Sequence, residues 1–198
     1  QDPIAASPDE WPGFVQEFAD DWMEAHPMMG FAAGRKEFAG RFPDWSAKGI
    51  AAEIARLKSA AARALSFDPA RLTDAQRFER DYLLAVVDRN LFWLEQAEWP
   101  FRNPTFYFDW NLDLLSPDPY LTKPYAPVEV RLEDFTRWLS NVPVATAQIQ
   151  ANLRTPMPRT WIDQGVASFG GMVPFLRDDA PQAFAAVDDT ELLESYRE

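Results

Sequence analysis

The apolar positions fall into stripes at helical spacing, divided by proline and glycine. Trp11, Phe14, Val15, Phe18 and Trp22 recur three or four residues apart, the spacing that lines one helix face. Ser7-Pro8-Asp9-Glu10 stands before them. Ser7 can cap, Pro8 suits the first helical position, and Glu10 completes a capping box. Pro27 disfavours helical geometry in the residue before it, which ends this helix near His26. Residues 27–45 then read as an irregular connection holding Gly30, Gly34, Gly40 and Pro43.

Ser46 caps a second predicted helix that carries Ile50, Ile54, Leu57, Ala61 and Leu65, and Asp68-Pro69 breaks it. Thr73 and Gln76 form another capping box, opening the longest predicted helix at 74–98. Phe78, Tyr82, Ala85, Val86, Arg89 and Trp93 share one stripe of it. Leu83, Val87, Leu91 and Leu94 widen that stripe, which predicts a central helix buried on more than one side. Residues 99–127 change character: six prolines punctuate an aromatic-rich stretch, with a short helix predicted at 105–115. Further helices are predicted at 127–140 and 143–154, split by Asn141-Val142-Pro143. Another is predicted at 159–176, with Ile162, Val166, Phe169, Val173 and Leu176 on one face. The acidic segment 181–198 reads as helical from Asp189. Thr105–Phe108 is short and apolar enough for a strand but has no obvious partner. The pattern predicts an all-α fold, an irregular multi-helix bundle of about six to eight helices with a proline- and aromatic-rich connecting segment. Residues 1–198 read as one helical domain. The chain stops at Glu198 inside what reads as a helix, so it is expected to be the N-terminal fragment of a longer protein.

Composition narrows the chemistry. With 47% apolar and 14% aromatic residues, the chain can bury a full-sized core. The net charge of −12 repels a phosphate backbone, so nucleic acid is not an expected partner. No apolar run approaches the roughly 20 residues that span a bilayer. The absence of cysteine excludes a disulfide framework, a thiolate metal site and a cysteine nucleophile. The start at Gln1 fits a mature end after signal cleavage or an artificial boundary.

Candidate chemistry is sparse. His26 is the only histidine, and a catalytic zinc site usually takes three protein ligands, with histidines prominent among them. Asp20, Asp21 and Glu24 lie near His26 in sequence and could form a carboxylate cluster. The competing reading is an imidazole at a helix C-terminus that meets free carbonyls. No G-x-S-x-G, P-loop or G-x-G-x-x-G occurs. The spacing of Asp109, Asp113 and Asp118 does not match a calcium loop. A carboxylate-pair glycosidase has no specific support among 31 acidic residues. The aromatic run Trp99–Trp110 is the most unusual segment. It reads either as a cleft wall for a peptide or sugar or as a core plug between helices.

Several blocks in order carry a family resemblance: His26-Pro27, Gly34, Phe42-Pro43-Asp44-Trp45-Ser46, Leu72-Thr73 with Gln76, and Trp99 with Asn103-Pro104-Thr105-Phe106-Tyr107. The last block is Arg131, Leu139, Val142-Pro143, Ala147 and Asn152-Leu153. Over about residues 10–177 the chain resembles the N-terminal half of domain-of-unknown-function family 885, a bacterial group similar to HExxH zinc metallopeptidases. The resemblance implies a non-catalytic helical region of a zinc-dependent peptidase-like hydrolase, forming part of a substrate-channel wall. It places no catalytic or metal-binding residue here; zinc is implied for a C-terminal half. That half is then the expected partner, with a peptide as the expected substrate. Tyr107, Asp109, Trp110 and Arg131 become candidate substrate contacts. A periplasmic or secreted location is expected, otherwise a cytoplasmic one. The alternative is a self-contained helical binding or scaffold module.

Overall fold

Local capping sets where the main helices begin. In the computed structural model, which describes residues 6–108, 117–188 and 194–195, the Ser46 hydroxyl accepts from the Gly49 N–H at 3.0 Å. Helix α3 follows at Ala47–Leu65. Thr73 and Gln76 exchange their reciprocal bonds, and α4 follows at Asp74–Leu91. The Glu10 carboxylate accepts from the Ser7 N–H at 3.3 Å, and a short 3₁₀ turn at Pro8–Glu10 leads into α1, Trp11–Ala25. Beyond these lie α2 (Pro27–Ala32), α5 (Trp99–Arg102), α6 (Asp118–Thr122), α7 (Val128–Asn152) and α8 (Arg159–Pro174). Among the described residues there is no strand, only one isolated bridge between Ala6 and Phe67. The fold is all-α and built from many helices, as the sequence pattern predicts.

Four sequence expectations need correction. Residues 27–45 are not wholly irregular. His26 leaves helical geometry, as a residue before proline should, but Pro27 then starts α2 from the first helical position, where its missing N–H costs nothing. The predicted helices 127–140 and 143–154 are one helix, α7, with Pro143 inside it. Pro143 cannot donate to Leu139, yet Trp138, Ala145 and Ile149 are buried on either side of it, and their packing carries the helix through. The predicted helix at 105–115 is a 3₁₀ turn at Pro104–Tyr107, and 109–116 lie outside the described residues. Of the predicted terminal helix, only Glu194 and Ser195 are described.

The fourth correction concerns α4. Leu83 and Val87 are buried, but Phe78 and Tyr82 are 72% and 65% exposed. Their rings stack on each other at 6.3 Å on the outer face. Helix α8 behaves alike: Gly165 packs its back onto Pro104, while Val166 and Val173 are 68% and 62% exposed. Two faces that the sequence pattern marks for burial are thus uncovered by the described residues.

Three apolar clusters hold the rest. Trp11, Phe14, Leu57, Phe67 and Val87 join α1, α3 and α4. Tyr120, Leu132, Phe135, Trp138 and Phe184 gather around α7. Trp45, Tyr107, Ala145 and Ile149 tie the two aromatic connections to the second half of α7. Gly49 has no side chain where the Asp44 backbone crosses the first turn of α3, and a Cβ there would collide with it. That crossing forms one side of the cleft described next.

Candidate functional site

A cleft of about 500 Å³ opens where the end of α1, residues 43–45, α3 and α4 meet. Its floor and walls are apolar, with Trp45, Ile50, Leu94 and Phe106 facing it. Its polar heart is built by two elements. Pro27 ends α1 at His26, and the His26 Nδ1–H donates to the Trp22 carbonyl oxygen at 2.9 Å. The imidazole lies flat on the Trp22 ring, centroids 4.3 Å apart. Helix α3 brings Glu53 and Arg56 to the same place, one turn apart. Arg56 donates from Nε and Nη2 to the two Glu53 oxygens at 2.7 and 2.6 Å. Its guanidinium also covers the rings of Phe18 and Trp22.

With Nδ1–H engaged, the neutral ring presents Nε2 as a bare acceptor. It lies 3.8 Å from Glu53 Oε1. Both side chains are close to 15% exposed, so two acceptors face each other in a largely dry site. Burial pushes the His26 imidazole below its ordinary value of 6.5, with Glu53 opposing that shift. At the mouth, the Ser46 N–H holds the Asp44 carboxyl below its usual range, and Arg41 does the same for Glu24. Asp21 completes the rim. The site therefore carries carboxylates and one guanidinium that is paired with Glu53 through two of its three nitrogens, with Nη1 buried and unpartnered.

The sign of the His26 effect gives a stability prediction. The unfolded ring takes a proton near 6.5, whereas the folded ring resists it to lower pH. The unfolded state thus binds more protons below 6.5, and stability falls as pH drops through that window. Chemical unfolding across roughly pH 7.5 to 5 should show the advantage of the natural chain over His26→Gln shrinking toward acid. An advantage constant across the range would show that burial of His26 does not set its titration.

The sequence anticipated the His26 contact with a helix-end carbonyl. It did not anticipate Glu53, because Asp20, Asp21 and Glu24 are nearer in the chain. Asp20 pairs with Arg35 and Glu24 with Arg41 instead. The Glu53–Arg56 pair, three residues apart in an alanine-rich helix, was the available signal.

Of the predicted substrate contacts, Tyr107 and Arg131 are described, and neither lines this cleft. Tyr107 is 0% exposed. Its hydroxyl donates to the Pro100 carbonyl oxygen at 2.7 Å and accepts from Asn152 Nδ2 at 3.1 Å. Burial pushes its pKa up to about 12. Arg131 lies on α7 and donates to the Tyr120 and Leu121 carbonyl oxygens at 3.1 and 3.2 Å. Asp109 and Trp110 lie outside the described residues. Within the aromatic run, Tyr107 is core, and Phe106 lines the cleft. Among the described residues no three His, Cys, Asp or Glu side chains converge on one point.

Among the described residues no helix is long and apolar enough to cross a membrane. A family model described as bacterial protein of unknown function (DUF885) matches residues 27–198. No curated protein matches the chain. Among solved structures, the chain is similar to a Shewanella oneidensis protein described as a "putative lipoprotein of unknown function". The TM-score is 0.81 at 16% identity, over 98% of this chain and 34% of that one. The likeness shows the same fold, and this chain spans about one third of that relative's length.

Proposed function

Because the chain belongs to the DUF885 family of bacterial proteins, we propose that it is the helical, non-catalytic N-terminal region of a longer zinc-dependent peptidase-like hydrolase. In this reading it forms one wall of the substrate channel, and the metal centre lies outside residues 1–198. The observation that carries the proposal is the pair of uncovered apolar faces. Phe78 and Tyr82 on α4, and Val166 and Val173 on α8, have the spacing of buried stripes and no cover among the described residues. Further chain of the same polypeptide would supply that cover. The greater length of the structural relative supports this, and an exported location follows the same relative's description as a lipoprotein.

Paired substitutions test the cover. Phe78→Ser with Tyr82→Ser should change the stability of residues 1–198 by less than about 1 kcal/mol, because exposed side chains lose little. In the longer polypeptide the same pair should cost about 2–4 kcal/mol by denaturant unfolding, as for buried apolar groups. Equal small effects in both would remove the covering role. Elemental analysis of the longer polypeptide tests the hydrolase reading separately, and a protein that retains no zinc would contradict it.

A further inference from the structure

The cleft around His26 has a ligand chemistry of its own. Its polar side chains are rich in acceptors. The His26 Nε2 and the Glu53 carboxylate face each other at 3.8 Å with no donor between them. Asp21, Glu24 and Asp44 surround the mouth. The one lining guanidinium, Arg56, gives Nε and Nη2 to Glu53 and its face to Phe18 and Trp22, while its Nη1 is buried without a partner. An anion entering this field meets the carboxylates, and the one nearby positive charge, Arg56, is already paired with Glu53 and keeps its free Nη1 out of reach in the interior. A neutral alcohol can satisfy one of these acceptors through its single donor, without the charge assistance an ammonium brings. A cation with several N–H donors on one atom can satisfy both acceptors at once, since donors near 2.9 Å from each fit across that gap.

We propose that this cleft binds a small primary ammonium compound, its nitrogen held between His26 Nε2 and the Glu53 carboxylate, with an aromatic or branched apolar body against Trp45, Ile50, Leu94 and Phe106. The volume of about 500 Å³ suits such a molecule. The neutral state of the imidazole, favoured by its burial, keeps Nε2 available as an acceptor. The site uses residues of this chain alone and depends neither on zinc nor on a covering half.

Calorimetric titration of the full chain with 2-phenylethylammonium, 2-phenylethanol and 3-phenylpropionate tests the assignment. These probes share one apolar body and differ in charge. The ammonium should bind with a Kd of about 0.1–1 mM, reasonable for so small a ligand. The alcohol should bind at least roughly tenfold more weakly, and the carboxylate should give no saturable heat. Glu53→Gln should weaken ammonium binding about tenfold. Ala52 lies exposed at the mouth, so Ala52→Trp should block the cleft without disturbing the core and abolish binding. The proposal is overturned if the alcohol or the carboxylate binds as well as the ammonium. It is also overturned if Ala52→Trp binds with unchanged affinity, or if the ammonium shows no saturable binding.

Discussion

Trp11→Ala should lower the stability of the chain by about 3–5 kcal/mol, the range for deleting a buried tryptophan. For a protein of this size the thermal midpoint should fall by roughly 10 °C. Trp11 has no exposed surface and sits edge-on to Phe14 and Phe67, with centroids 5.5 and 5.1 Å away. Its removal opens a void where α1, α3 and α4 meet. The indole N–H also donates to Glu79 Oε2 at 2.8 Å. Trp11→Phe separates the two causes, because it restores most of the volume but not the donor. It should recover more than half of the loss in a urea titration. Equal losses in the two variants would place the stability in the hydrogen bond and contradict the packing account.

Asn152→Leu should cost about 2–4 kcal/mol, because it keeps the volume and removes two buried bonds. Asn152 is 4% exposed. Its Nδ2 donates to the Trp45 carbonyl oxygen at 2.6 Å and to the Tyr107 hydroxyl at 3.1 Å. Tyr107 keeps its bond to Pro100 after the change, but the Trp45 carbonyl loses the partner the structure gives it. Since Trp45 walls the cleft, the same variant should also weaken binding of 2-phenylethylammonium. A loss below about 1 kcal/mol, the net worth of an ordinary hydrogen bond, would show that the Trp45 carbonyl finds another donor.

How much of this was legible depended on how local each signal is. Ser46 and Thr73 act within one turn of themselves, so the starts of α3 and α4 could be read directly. Pro143 misled for the same reason. Its penalty is local and worth about 3 kcal/mol, whereas the burial of Trp138, Ala145 and Ile149 that overrides it depends on tertiary packing. The apolar stripes of α4 and α8 were visible as stripes, but spacing does not say what covers them. Leu83 and Val87 meet α1 and α3, while Phe78 and Tyr82 meet solvent. The cleft was half legible. The helix-end bond of His26 follows from Pro27, but Glu53 reaches it only through the packing of α3 beside the end of α1. Asn152 stood out only as part of the Asn152-Leu153 block, with no sign that its amide ties the Trp45 carbonyl to the Tyr107 hydroxyl.

The uncovered faces are the point on which the whole account turns, and amide hydrogen exchange reads them without any substitution. Exchange over 74–91 and 159–174 should be compared between residues 1–198 alone and the longer polypeptide. Both helices should exchange markedly more slowly in the longer form, with the change concentrated at turns bearing Phe78, Tyr82, Val166 and Val173. Identical exchange in the two forms would contradict this, leaving these faces as open surface and the chain as a helical unit that covers no channel.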